Sequence, residues 1–139
     1  MKRKVLIIDD EPIACSHIAE ILRWKYDTDV TIVQDYSNLE VLLRTDYSAV
    51  VLDMMMPFDE DFFTEVKTSE KFPELSTGKY LFDEIRKRNV NIPIIFFTAF
   101  RGKIECDSRS IIISKPNLAV NVAKTIDGFI TRLEKMDIL

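Results

Sequence analysis

Val5-Leu6-Ile7-Ile8-Asp9-Asp10-Glu11-Pro12 is the stretch on which the fold turns. Four apolar residues run unbroken into three acids, and a proline follows. A continuous apolar run reads as a strand buried on both faces of a parallel sheet, because a strand with one wet face alternates. Pro12 stands where a first helical residue would, since its missing N–H has no partner to lose there. Ile13, Ala14, Ile18, Ile21 and Leu22 then follow at helical spacing.

The same grammar repeats along the chain. Ala49–Leu52, Ile94–Phe97 and Ile111–Ile113 are further continuous apolar runs, and Val30–Val33, interrupted by Thr31, reads as an edge strand. Helical patterns lie between them. Ser37 and Glu40 have capping-box spacing ahead of Leu39, Leu42 and Leu43. Leu81, Phe82 and Ile85 follow Gly78, and Leu118, Val122, Ile126, Phe129, Ile130 and Leu133 make the clearest amphipathic helix. Strands alternating with helices predict a doubly wound, five-stranded parallel α/β domain, whose ligands bind beyond the carboxyl ends of the strands. Phe58–Thr77 breaks the rhythm, being longer than most connections in a compact domain.

Composition narrows the function. The chain has 139 residues, 19 Lys+Arg and 23 Asp+Glu, for a formal net charge of −4. That length suits one domain with one self-sufficient core. A mildly acidic balance argues against nucleic-acid binding. One histidine, His17, cannot build a histidine-rich metal site, and Cys15 and Cys106 form no C-x-x-C pair. The basic start Met1–Lys4 meets an apolar run too short for a signal peptide, and no stretch approaches the roughly 20 apolar residues of a membrane span. A cytoplasmic location is the expectation. His17 reads as structural, Trp24 as packing near the end of the first helix, and Met54, Met55 and Met56 as strand-end filling.

The residues that follow the strands carry the chemistry. They are Asp9-Asp10-Glu11, Asp53, Thr98 and Lys115-Pro116, and a doubly wound sheet gathers them on one rim. Carboxylates ~4–5 Å apart repel by about 4 kcal/mol per pair at an effective dielectric near 20. A hard divalent cation resolves that conflict, and Mg²⁺ favours a few carboxylate oxygens together with water and phosphate. Lysine and a hydroxyl beside it suit a phosphoryl group, and a carboxylate can itself be the nucleophile that accepts one. Asp53, alone at the end of the central strand, is the candidate.

At this point the sequence resembles the receiver domain of two-component response regulators over nearly its whole length. The matching stretches are VLIIDDEP (5–12), AVVLDMMMP (49–57), IIFFTA (94–99) and IIISKP (111–116). The resemblance implies one flavodoxin-like receiver domain over 1–139, with strand order 2-1-3-4-5. It implies Asp53 as phosphoacceptor, Asp10 as a direct Mg²⁺ ligand (Mn²⁺ being an alternative ion), Asp9 acting through water, and Met55 offering its backbone carbonyl. Thr98 and Lys115 match the pair that grips the phosphoryl oxygens, and a cis Lys115–Pro116 bond is common in the family. The donor would be a histidine kinase or phosphotransfer protein. Met55 and Phe100, two positions after Asp53 and Thr98, would screen the phosphoryl group from water and slow its loss.

Three departures mark this chain. Phe58–Thr77 is inserted before the third helix. Sixteen residues separate Thr98 from Lys115, so the helix between the fourth and fifth strands, within Arg101–Asp107, is expected to be short or absent. Ile112 stands where the family usually carries an aromatic switch. The insertion allows three readings: a solvated loop with its phenylalanines tucked onto the domain, a docking surface for a downstream partner, or a lid. Phe62, Phe63 and Val66 could share one side of a short helix. Its six acids against two lysines, Lys67 and Lys71, sum to −4, so the whole net charge of the chain resides there.

Competing functions make different demands. A Mg²⁺-dependent aspartyl-phosphate phosphohydrolase would want Asp-x-Asp after strand one, where this chain has adjacent Asp9-Asp10. A flavodoxin-like cofactor binder would want a Ser/Thr/Gly phosphate loop there. A receiver fold serving only as a binding module would leave phosphorylation without a role.

Overall fold

Strand β1 (Lys4–Ile8) is followed by α1 (Ile13–Lys25), β2 (Asp29–Val33), α2 (Leu39–Leu42), β3 (Ala49–Leu52), α3 (Thr77–Arg88), β4 (Ile94–Thr98), β5 (Ser110–Ser114) and α4 (Ala119–Ile138). The structure is a computed structural model that describes residues 2–66 and 70–138. Met1 and Lys67, both named above, lie outside the described residues. All strand pairs are parallel and the order is β2-β1-β3-β4-β5, as the resemblance implied.

The continuous apolar runs follow from burial on both faces. Val5, Ile7, Ala49, Val51, Ile95, Phe97 and Ile113 pack with α1 and α4 on one side. Leu6, Ile8, Val50, Leu52, Ile94 and Phe96 pack with α2 and α3 on the other. Because side chains alternate across a strand, each neighbouring pair feeds both cores.

Some local expectations are corrected. The Ser37/Glu40 capping box does not form: α2 is a single turn preceded by Asn38, and the Ser37 N–H is instead bound by Asp35 Oδ1 at 2.6 Å. An Asx turn has taken the amide that a capping box would have satisfied. Trp24 does not pack, being 85% exposed on α1, and His17 also faces solvent. Within the described part of 58–77, residues 60–65 turn without forming a regular helix, and Pro73–Leu75 make a 3₁₀ turn before α3. Phe63 is nonetheless buried, with Phe58, Phe62 and Val66 packed around the same core.

Among the described residues no helix joins β4 to β5, in line with the short spacing there. Arg86 of α3 braces that connection. It holds Asp107 through Nε (2.7 Å) and Nη2 (3.1 Å), and donates to the carbonyls of Ile92 and Arg109. Ile112, on the face of β5 turned away from α1 and α4, is 45% exposed.

Candidate functional site

The carboxyl ends of β1, β3 and β4 bring the expected residues together. Asp9 and Asp53 are buried, while Asp10 stands more open at the rim. One carboxylate oxygen from each of Asp9, Asp10 and Asp53 lies within 4.8 Å of the others.

Each group around Asp53 is fixed by its place in the sheet. Thr98, ending β4 beside β3, donates from Oγ1 to Asp53 Oδ1 at 2.5 Å. The same hydroxyl accepts from the N–H of Phe100 at 3.1 Å and of Met54 at 3.4 Å, so its orientation is set from three sides. Asp53 Oδ1 also accepts from Met55 N–H at 3.1 Å. Lys115, just past β5, reaches back to Asp53 Oδ2 (3.0 Å) and Asp9 Oδ2 (2.7 Å). Its ammonium lies over the Phe97 ring, and the Lys115–Pro116 peptide is cis.

Charge explains the directions of titration. Burial pulls the Lys115 ammonium down, but hydrogen bonds to Asp9 and Asp53 and their charges outweigh it, so its pKa is raised. Burial, and after it the Asp9 charge, pushes the Asp10 carboxyl above its ordinary range. Three carboxylates and one ammonium leave the site at −2, the charge that a divalent cation balances. Oxygen donors only, crowded and in charge excess, fit a hard ion such as Mg²⁺.

Sequence reasoning missed several neighbours. The Cys15 thiol lies 3.5 Å from Asp9 Oδ2, and burial together with that carboxylate pushes it up to about 12, leaving it an inert thiol. Arg101 donates to the Lys115 carbonyl. Tyr36 and Thr77 hold the loop after Asp53, Tyr36 through the carbonyl of Pro57 and Thr77 through that of Met56. A threonine before the helix-opening Gly78 was a readable cue for the last; nothing local to Tyr36 announces its role.

Solved structures match this arrangement along nearly its whole length. A response regulator receiver domain protein (CheY-like) from Methanospirillum hungatei is 16% identical, with TM-score 0.71 and coverage of 98% of this chain and 99% of that one. The chain has the receiver fold. The receiver domain of Francisella response regulator 1452 is 24% identical over 94% of this chain and 98% of its own, with TM-score 0.63. A two-component response regulator from Clostridium difficile is 16% identical, with TM-score 0.67 over 95% and 98%. No protein-family model and no curated protein matches the sequence. At these identities the receiver likeness is one of fold, and the acidic pocket of Asp9, Asp10 and Asp53 is this chain's own. Among the described residues no helix is long and apolar enough to cross a membrane.

Proposed function

We propose that this chain is a cytoplasmic receiver domain, with 58–77 as an insertion, that takes a phosphoryl group on Asp53 from a histidine kinase or phosphotransfer protein. One observation supports this above the others. The two oxygens of the Asp53 carboxylate are held separately, one by the Thr98 hydroxyl and one by the Lys115 ammonium, beside two further carboxylates. A single acid flanked by a hydroxyl and an ammonium is equipped both to attack phosphorus and to hold the oxygens that arrive with it.

In this reading an Asp53 oxygen attacks the phosphorus of a phosphohistidine. A P–O bond forms as the P–N bond breaks, and the imidazole nitrogen leaves with the electron pair. Lys115 turns from the carboxylates to a phosphoryl oxygen, and the Thr98 hydroxyl donates to another. Asp10, Asp53 and the Met55 carbonyl would hold Mg²⁺, with Asp9 acting through water. When bound, the ion supplies charge neutralisation between the carboxylates and the incoming phosphoryl oxygens. Met55 and Phe100, two positions after Asp53 and Thr98, would hinder water, so the aspartyl-phosphate is long-lived. The product is a switch, not a turnover enzyme, and a downstream protein reads its state.

The test is to incubate the protein with a small phosphodonor and Mg²⁺ and measure its intact mass. One phosphoryl adduct, absent from Asp53→Ala, is expected. Steady release of phosphate without an adduct would replace this reading with a phosphohydrolase. No adduct with any donor would leave a binding module.

A further inference from the structure

Residues 54–57, which follow the acceptor aspartate, form a ribbon with two differently bonded edges. On one edge the Met54 N–H bonds Thr98 Oγ1 and the Met55 N–H bonds Asp53 Oδ1. On the other edge the carbonyls bond away from the site. Met54 O accepts from Gly78 N–H at 2.9 Å, Met56 O from Thr77 Oγ1 at 2.6 Å, and Pro57 O from the Tyr36 hydroxyl at 2.5 Å. Thr77, Gly78 and Tyr36 are all buried, so water cannot readily replace these partners.

Beyond the ribbon the contacts are aromatic. The Tyr36 hydroxyl also accepts from Asp59 N–H at 2.9 Å, and its ring meets Phe62 (5.0 Å) and Phe63 (5.4 Å). Phe58 stacks on Phe63 at 4.9 Å and meets Tyr80 of α3 edge-on. The other route out of the site is poor by comparison. It starts from the Phe100 N–H on Thr98 Oγ1, but among the described residues no helix lies between β4 and β5 to carry it on, and Ile112 of β5 is aliphatic and half-exposed.

We infer that the state of Asp53 is relayed through the 54–57 ribbon and Tyr36 into the inserted segment 58–66, which makes that segment the part of the surface that changes. This rests on Asp53 being the phosphoacceptor. A phosphoryl group on Asp53 draws the Thr98 hydroxyl from Asp53 Oδ1 to a phosphoryl oxygen, and Thr98 cannot shift without disturbing the Met54 N–H. Tyr36 is a positioning residue: it touches no reacting atom and passes the displacement of Pro57 to Asp59 and the phenylalanines.

Amide hydrogen exchange of the full chain in Mg²⁺, with and without beryllium fluoride as an acyl-phosphate mimic, tests the relay. Exchange in 58–66 is expected to change by about tenfold or more, against less than about twofold in 110–114. In Tyr36→Phe the mimic still binds, by fluorine NMR, but the response of 58–66 falls to the level of 110–114. Binding of the mimic with 58–66 unchanged, or an undiminished response in Tyr36→Phe, overturns the relay alone. Failure of the mimic to bind overturns the phosphoacceptor reading beneath it.

Discussion

Gly78 lies so close to Asp53 that a β-carbon added to it would overlap the Asp53 carbonyl oxygen and stand 2.7 Å from Met54 Cα. Both neighbours are main chain, so neither can swing aside. Gly78→Ala therefore forces α3 away from the loop after Asp53, despite alanine's better helix propensity. A loss of about 1–3 kcal/mol in urea unfolding is expected. The yield of phosphoryl adduct should fall with it; unchanged stability would show that the loop yields.

Phe63 tests whether the insertion belongs to the core. Its side chain is buried among Tyr36, Phe58, Phe62 and Tyr80. Phe63→Ala should cost about 3–4 kcal/mol. A loop that merely rests on the surface would lose less than about 0.5 kcal/mol, and chemical denaturation separates the two.

Asp10 carries the repulsion that a cation would relieve. In a chelator, Asp10→Asn should raise the melting temperature, because the neutral amide no longer faces Asp9 and Asp53; a gain of about 1 kcal/mol is expected. Millimolar Mg²⁺ should stabilise the native chain by mass action and leave the variant nearly unchanged. Equal Mg²⁺ responses in calorimetry would remove Asp10 from the cation site.

Arg86 gives a pH-dependent prediction. Its hydrogen bonds to Asp107 hold that carboxyl below the usual range, against a smaller opposing effect of burial. A depressed folded-state pKa adds stability that is present above the ordinary carboxylate value, about 3.9, and is lost as pH falls through the folded value. Arg86→Met also strands the carbonyl of Ile92, whereas that of Arg109 keeps the Ile94 N–H, so a loss of about 2 kcal/mol is expected at pH 7. The gap between native and variant proteins should narrow from pH 5 to pH 3. A gap independent of pH would assign the whole effect to the Ile92 carbonyl.

Gly128 offers a gain. It lies inside α4, and a β-carbon there would meet nothing within 4 Å. Gly128→Ala should stabilise the chain by about 0.5–1 kcal/mol, visible as a raised melting temperature.

The strands and the residues that end them were legible because both are local. A run such as Ile94–Phe97 announces burial on two faces, and topology alone then carries Thr98 to Asp53 across 45 positions. What stayed hidden depends on distant partners. Ser37 and Glu40 had the spacing of a cap, yet Asp35 claimed the Ser37 amide first. Trp24 looked like packing material, but its position on α1 faces solvent. The Arg86 brace joins α3 to residues 21 and 23 positions away, and no periodicity encodes such a fork.

The outward acids of the insertion bear on kinetics. Phe58, Phe62 and Phe63 turn inward while Glu60, Asp61 and Glu65 remain exposed, on the connection that leaves Asp53 itself. An anionic donor such as a small acyl phosphate therefore approaches a like-charged field, whereas a protein donor with a basic rim is drawn in. Added salt shortens the reach of that field to about 8 Å at physiological ionic strength. If Asp53 takes a phosphoryl group as proposed, added salt should speed labelling by small donors and slow transfer from a basic protein, a selection by charge before any contact is made.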